Sequence, residues 1–150
     1  MTRLGRLINL PKEEKYLLAQ AMVLLPFNAV MLRLLSLKRW QGMLAAFLPR
    51  LQGGQDVRAP VCASVAAVNR AARYGLINAN CLQRSLALWW MLRSQGIVSD
   101  LKIGARINGQ QCEAHAWIEY AGEVLNDEED VAERFPPFNG VIFPAEAKIQ

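Results

Sequence analysis

The spacing of apolar residues changes at Gly96, and this change constrains the fold more than any other feature of the sequence. Before Gly96, apolar residues recur at helical spacing, most clearly in CLQRSLALWWMLRS from Cys81 to Ser94. After it, apolar and polar residues alternate from Leu101 to Ile107, as they do in a strand with one buried face. A helical half followed by a run of strands predicts an α+β fold.

The helical half begins with a long apolar arm. Residues 11–48 are predicted to be helical throughout, and Pro26 is expected to kink or split this helix because it lacks an N–H donor. The stretch LQGGQDVRAP, residues 51–60, predicts a loop. We therefore expect a helical N-terminal arm at 1–50 and a core at 60–150. A chain of 150 residues predicts that the two form one compact domain.

Two shorter helices follow the predicted loop. The first is predicted at residues 61–74 and is closed by Gly75. The second is predicted at residues 81–94, with Asn78 and Asn80 as candidates for its N-cap. Both helices belong to the predicted core.

The strands are predicted to form an antiparallel meander. NGQQ, residues 108–111, predicts a hairpin between the strand at 101–107 and a return strand at 112–120. AGE, residues 121–123, predicts a second turn, which is followed by a short strand at 124–126. The core is therefore predicted to be a helix packed on a small antiparallel sheet.

Composition restricts the class of partner. Apolar residues make up 53% of the chain and charged residues 20%, and this apolar excess suggests a partner surface or a membrane surface. The formal charge of +4 is modest, so nucleic acid is not an expected partner. The chain has three cysteines, Cys62, Cys81 and Cys112. Their odd number and wide spacing fit a reducing, cytoplasmic compartment better than a secreted disulfide framework.

The run from Tyr16 to Leu35 is the nearest approach to a membrane span. No transmembrane span is expected, because polar, charged and helix-breaking residues interrupt the run. Glu13 and Glu14 precede it, so a signal peptide is not expected either. A pair of helices that covers the core or docks a partner is the favoured interpretation. The interrupting residues are Gln20, Pro26, Asn28 and Arg33.

Cys81 is the cysteine best placed for nucleophilic chemistry. It falls in the first turn of the predicted helix at 81–94, where partial positive charge and free backbone N–H groups favour a thiolate. Cys62 and Cys112 have no such position. Taken alone, a buried free cysteine is more often a small apolar core residue.

His115 is the only histidine, so any cysteine chemistry that needs an imidazole base must use it. On the predicted strand 112–120 it shares a face with Glu113 and Trp117. Cys112 points to the other face, and this argues against a zinc site built on Cys112 and His115, for which a second pair of ligands is also missing. A histidine in a strand can equally be an ordinary core residue.

Asp127 is predicted to orient the imidazole. It follows the strand at 124–126, and antiparallel pairing through the 121–123 turn brings it beside His115. Asp130 is a second, more distant candidate. The alternative for Asp127 is a cap at the end of the strand.

Three stretches in order, NCLQRSLALWWMLRSQG, IGARI and AHAWIEYAGEVLND, resemble the papain-like core of transglutaminases. That core carries a cysteine at a helix N-terminus, a histidine on a strand and an aspartate on the next strand. More narrowly, the chain resembles the stand-alone leader peptidases of lasso-peptide biosynthesis, which have a helical N-terminal arm and the same HAW strand. The resemblance in sequence covers about residues 60–130. The N-terminal arm is similar only in its helical character.

The resemblance implies that Cys81 is the nucleophile, His115 the base and then the acid, and Asp127 the group that orients the ring. It further implies a cysteine protease that cleaves the leader from a ribosomally made precursor peptide through a thioester, without a metal or organic cofactor. Trp117 is a candidate for lining the substrate cleft. NANC, residues 78–81, lacks the glycine that transglutaminase-type domains often carry two residues before the cysteine, so only the Cys81 backbone N–H is assigned as an oxyanion donor.

The partners are also implied by the resemblance. The chain shows no leader-recognition module of its own, so a separate leader-binding protein is expected to present the precursor, and the product is expected to pass to an ATP-dependent cyclase. The apolar stretch from Tyr16 to Leu48 is the predicted contact surface.

Two other functions stay open at the level of sequence. An acyl transferase of the transglutaminase kind would use the same three residues and would add mass to its substrate rather than shorten it. A binding or scaffold protein with the same fold but no activity would hold Cys81 as an unreactive thiol.

Overall fold

The computed structural model of the protein describes residues 10–47 and 57–138. Within these ranges it has five helices and a three-stranded antiparallel sheet of order β1-β2-β3, which confirms the predicted α+β fold. The elements are α1 Lys12–Leu34, α2 Leu37–Ala46, α3 Arg58–Tyr74, α4 Cys81–Ser94, β1 Asp100–Asn108, β2 Gln111–Tyr120, β3 Glu123–Val124 and α5 Val131–Arg134.

The arm is one long helix followed by a short one, and the break is not at the proline. Helix α1 runs through Pro26 and ends at Leu34, with extended backbone at Leu35. The prediction of a split at Pro26 is therefore wrong. Proline removes one helical hydrogen bond, but the burial of Leu24 and Leu25, directly before Pro26, holds the helix against the core.

Asn28 explains how the arm is fixed to the rest of the chain. Its side chain is fully buried. Its amide nitrogen donates to the backbone oxygen of Gln83 on α4 at 3.3 Å, and its oxygen accepts from the indole of Trp40 on α2 at 3.0 Å. A buried polar group is stable only when it is bonded in this way. Helix α1 is the one described helix long and apolar enough to cross a membrane, but part of its surface, including Asn28, belongs to the protein core.

Helix α3 begins earlier than its pattern predicts. Residues 51–56 of the predicted loop lie outside the described residues, and residues 58–60 are already helical. Pro60 is tolerated there because the N–H groups of the first turn have no helical acceptor. Gly75 follows the last helical residue, as predicted.

Helix α4 is the central helix and has the predicted bounds. Asn80 caps it: the Asn80 side chain accepts from the Gln83 N–H, and the Gln83 side chain accepts from the Asn80 N–H. Its end is a Schellman motif, in which Gly96 adopts φ 77° and Ile97 donates back to Leu92 at 2.9 Å. Half of its residues are buried, and they form the main core with α1, α3 and β2: Ser85, Leu86, Ala87, Leu88, Trp89, Met91 and Leu92.

The sheet follows the predicted meander except at its last strand. Strands β1 and β2 pair from Asp100↔Glu119 to Asn108↔Gln111 around the tight turn at Gly109. Strand β3 is Glu123–Val124, so the predicted strand at 124–126 is wrong in both bounds. The chain leaves the ladder after Leu125, whose N–H still donates to the Ile118 oxygen, because the Asn126 side chain takes the next backbone donor on β2.

The two faces of the sheet are covered differently. On one, which we call the helix face, Leu101, Ala116 and Ile118 belong to the main core with α4. On the other, the His115 face, Trp117 packs with Val131 and Phe135 in a small second cluster. The cover on this face is the return segment, residues 125–138, which carries α5.

Gly104 makes room for the return segment. A Cβ atom at this position would lie 2.2 Å from the carbonyl oxygen of Phe135, closer than any real contact. Beyond Phe135 the segment reaches the free edge of β1, where the Ala105 N–H donates to the Pro136 oxygen and the Phe138 N–H donates to the Ile103 oxygen. The return segment is therefore bonded directly to β1 at its far end.

Candidate active site

Cys81 is the first residue of α4 and is half-buried. The capping box engages the N–H groups of Asn80 and Gln83. In the part of the chain that the structure describes, the N–H groups of Cys81 and Leu82 have no acceptor. The Cys81 thiol therefore lies at the positive end of a helix beside two free backbone donors.

His115 and Asp127 form a hydrogen-bonded pair. His115 Nε2 lies 2.5 Å from Asp127 Oδ2, with 25% of the histidine and 19% of the aspartate side chain exposed. Phe135 stacks on the imidazole with ring centroids 4.8 Å apart. Because Nε2 is engaged by the carboxylate, Nδ1 is the ring nitrogen left for another partner.

Asp127 is held as a carboxylate. Burial alone would raise the pKa of this group. The hydrogen bonds from His115 and from the Glu128 N–H, together with the charge of Arg134, outweigh burial and hold the pKa of Asp127 below its ordinary value. An ionised Asp127 favours the ring tautomer that carries its proton on Nε2.

A partly buried polar bridge connects the helix of Cys81 to the segments of His115 and Asp127. The Ser85 hydroxyl donates to the Ala116 backbone oxygen at 3.0 Å and accepts from the Asn126 amide at 2.9 Å. The Asn126 oxygen accepts from the Ile118 N–H at 2.8 Å. Ser85 is one turn after Cys81, Ala116 follows His115, and Asn126 precedes Asp127, so each bridging residue is close in sequence to a predicted site residue.

The structure thus brings His115 and Asp127 together and places Cys81 at the start of α4. The thiol and the ring are not hydrogen-bonded to each other among the described contacts. Ser85 fixes α4 against β2 at Ala116, and Cys81 lies about 6 Å farther along the same face of the helix.

The remaining predicted candidates have other surroundings. Trp117 is fully buried, and its indole donates to Glu119 at 2.8 Å; its substrate-binding role stays a prediction. Asp130 binds Arg134 rather than His115. Cys62 and Cys112 are exposed, and no group of three or more metal-ligating side chains occurs within residues 10–47 and 57–138.

Sequence reasoning missed four residues of the site. It assigned no role in the site to Ser85, Asn126, Arg134 or Phe135. The spacing of Asp130 and Arg134 on one helical turn is the single local pattern that could have indicated an ion pair. The other contacts join residues distant in sequence, and no periodicity records them.

A cavity opens beside the first turn of α4. It has a volume of about 380 Å³ and lies between α1 and the residues that precede the helix. Apolar side chains form most of its wall, with one guanidinium and two amides. Its lining residues are Pro26, Ala29, Val30, Arg33, Ile77, Asn78 and Gln83.

A cysteine at a helix N-terminus, packed on an antiparallel sheet that carries a His–Asp pair, places the chain in the class of cysteine-enzyme folds to which papain and the transglutaminases belong. The family model described as the transglutaminase-like superfamily matches residues 21–139, and the chain therefore belongs to that superfamily. Its members usually rely on cysteine-based catalysis. Comparisons with curated proteins and with solved structures gave no match.

Proposed function

We propose that this chain is a cysteine peptidase that removes the leader from a ribosomally made precursor peptide during lasso-peptide maturation, in the cytoplasm. The observation that carries the proposal is the His115–Asp127 pair, tied through Ser85 and Asn126 to the helix that begins at Cys81. The resemblance of the Cys helix and of the HAW strand to leader peptidases supports the choice of substrate.

In the proposed reaction the Cys81 thiolate attacks the carbonyl carbon at the leader–core junction. His115, held by Asp127 through Nε2, carries on Nδ1 the proton taken from the thiol. The peptide C–N bond breaks as this proton passes to the leaving amine of the core. A water molecule then attacks the thioester, His115 removes its proton, and the leader leaves as a carboxylic acid while Cys81 is regenerated.

The developing oxyanion needs donors that are already in place. The free N–H groups of Cys81 and Leu82 at the start of α4 supply two such donors in the proposed site. The thiol and the imidazole are expected to close on each other when peptide binds, because catalytic hydrogen bonds are often long in the free enzyme.

The proposed partners are a leader-binding protein and an ATP-dependent cyclase. The exposed face of α1 supports a contact of this kind, because it carries apolar side chains in a line, among them Tyr16, Val23 and Leu34, which are 67%, 67% and 72% exposed. Deletion of the arm is not a suitable test, since α1 supplies Leu24 and Leu25 to the core.

A double substitution, Val23→Ser with Leu34→Ser, tests the contact without removing the helix. Its affinity for the leader-bound partner, measured by calorimetry, is expected to fall at least about tenfold. Ile107→Ser is the control, because Ile107 is 83% exposed on β1. Equal affinities for both variants would remove α1 as the docking surface.

Thiol reactivity tests for a catalytic cysteine without any substrate. Iodoacetamide near neutral pH is expected to alkylate Cys81 faster than the exposed Cys62 and Cys112, because a thiolate reacts and a thiol does not. The advantage is expected to disappear in His115→Ala. A rate for Cys81 no higher than that for Cys62 in the wild type would instead support a scaffold protein.

Product analysis decides between hydrolysis and acyl transfer. Mass spectrometry of a candidate precursor, incubated with its leader-binding protein, is expected to show a shortened core and a free leader. Cys81→Ala is expected to give neither, whereas Cys112→Ala is the matched control and is expected to retain activity. Membership of the transglutaminase-like superfamily keeps acyl transfer as the second candidate, and a gain in mass would establish it.

A further inference from the structure

Arg134 is surrounded by three carboxylates that follow β3. Its guanidinium contacts Asp127 Oδ1 at 3.0 Å, Glu128 Oε2 at 3.2 Å and Asp130 Oδ1 at 3.0 Å. The side chain is 36% exposed, and that of Asp127 is 19% exposed. A planar guanidinium with five donors can serve three carboxylates at once, which a lysine ammonium does less well.

The contact to Asp127 is made by the oxygen that does not face the histidine. Oδ1 accepts from Arg134 and from the Glu128 N–H at 2.8 Å, while Oδ2 faces His115 Nε2. Two donors on Oδ1 fix the rotation of the carboxylate about its last side-chain bond. Only Oδ2 is then directed at the ring.

The residue after Arg134 acts on the same ring. Phe135 stacks on His115 from the return segment, and the Arg106 guanidinium also lies over the Phe135 ring, 4.5 Å from its centroid. The one-turn helix α5 thus brings a donor for Asp127 and an aromatic face for His115 to the same place. The contacts at both ends of the His115–Asp127 pair depend on the return segment.

We infer that Arg134 is a positioning residue: it fixes Asp127 so that His115 carries its proton on Nε2 and keeps Nδ1 free for the thiol of Cys81. The catalytic consequence rests on the proposed function, but the effect on the ring does not. Without Arg134, the carboxylates of Asp127, Glu128 and Asp130 repel one another, and Asp127 loses one of the two donors on Oδ1.

Because His115 is the only histidine, its ring can be observed in the full-length protein without assignment. Nitrogen-15 NMR of the imidazole gives the ratio of Nε2-protonated to Nδ1-protonated rings above neutral pH. Arg134→Gln is expected to lower this ratio by roughly three- to tenfold, because the hydrogen bond to Asp127 weakens. Arg134→Lys keeps the charge and is expected to restore most of the wild-type ratio.

The matched control is Arg70→Gln. Like Arg134, Arg70 has a partly exposed side chain that binds a carboxylate: it is 38% exposed and contacts Glu14 at 3.1 Å. This contact joins α3 to α1 and lies away from the His115–Asp127 pair. This variant is expected to keep the wild-type ratio. An unchanged ratio in Arg134→Gln, or an equal change in Arg70→Gln, would overturn the inference.

A second measurement separates this inference from the proposed function. The alkylation rate of Cys81 by iodoacetamide is expected to fall by roughly threefold or more in Arg134→Gln, with the rate at Cys62 as the internal reference. A changed tautomer ratio with no alkylation advantage in the wild type would leave Arg134 as a positioning residue and refute the peptidase. A changed ratio with an unaltered alkylation advantage would overturn the link from Arg134 to Cys81.

Discussion

The two faces of the sheet are built from different interactions. The helix face is apolar and packs against α4 in the main core, where side chains such as Leu86, Leu88 and Met91 are fully buried. The His115 face has a cluster of three buried residues and is otherwise held by hydrogen bonds and ion pairs of the return segment. Burial of apolar area dominates folding free energy, whereas fixed polar contacts define the orientation of reacting groups. The difference predicts that substitutions on the helix face mainly lower the free energy of unfolding, whereas substitutions on the His115 face mainly disturb the His115–Asp127 pair.

The largest expected effect is on activity, from His115→Ala. Loss of the base should lower the proposed peptidase activity by at least about 10³-fold, because in the proposed reaction the thiolate and the leaving amine both depend on the ring. The melting temperature should change little, since the side chain lies on the sparsely packed face. Activity is measured on the precursor and melting by circular dichroism, and a variant that unfolds would contradict the division between the faces.

The helix face should respond in the opposite way to Leu88→Ala. This substitution in the main core is expected to cost about 2–5 kcal/mol of unfolding free energy, measured with urea. Among molecules that remain folded, the alkylation rate of Cys81 should equal that of the wild type. A selective loss of Cys81 reactivity at full stability would show that the faces are not separable.

Ser85→Ala tests the polar bridge that joins α4 to β2 and to the segment of Asp127. It leaves the Ala116 oxygen and the Asn126 amide without their partner and is expected to cost about 1–3 kcal/mol together with a loss of activity. Ser64→Ala is the matched control, because Ser64 is also fully buried and accepts one hydrogen bond, from Gln95 at 2.9 Å. Ser64→Ala should lower the free energy of unfolding and leave activity unchanged. Equal losses of activity in Ser85→Ala and Ser64→Ala would show that the bridge has no specific role in activity.

The smallest effect is a pH dependence that comes from Asp127. Its pKa is lower in the folded state than in the unfolded chain, so its contribution to stability is present above the unfolded pKa and is lost as the pH falls through the folded pKa. The difference in unfolding free energy between wild type and Asp127→Asn should be on the order of 1 kcal/mol at pH 7, because solvent screens a partly exposed group. It should shrink as the solution is acidified. A difference in unfolding free energy that grows toward low pH would show that Asp127 does not stabilise the folded state as a carboxylate.

The helix face and its strands could be predicted because local chemistry specifies them. Asn80 and Gly96 bound α4, and alternation with the tight turn at Gly109 gives β1 and β2. The superfamily was predicted from this part of the chain, since the Cys helix and the HAW strand carried the resemblance, and the family model that confirms it matches residues 21–139. Pairing of Asp127 with His115 followed from the meander alone, even though β3 is shorter than predicted.

The return segment could not be predicted in the same way. Helix α5 has four residues, too few for a period, and its placement depends on a gap at Gly104 that is distant in sequence. The prediction of a split at Pro26 in α1 was wrong for a related reason, because the tertiary packing of Leu24 and Leu25 outweighs the local cost of Pro26. Where tertiary contacts oppose or replace local preference, the sequence pattern does not record the outcome.

Gly104 gives the molecule a steric control point that carries no functional group. Even a methyl group there would lie 2.2 Å from the Phe135 oxygen and would lift the return segment from β1. A wedge at this position acts from a strand that contains none of Cys81, His115 or Asp127. Gly104→Ala would therefore separate the return segment from β1 while every side chain of Cys81, His115 and Asp127 stays unchanged.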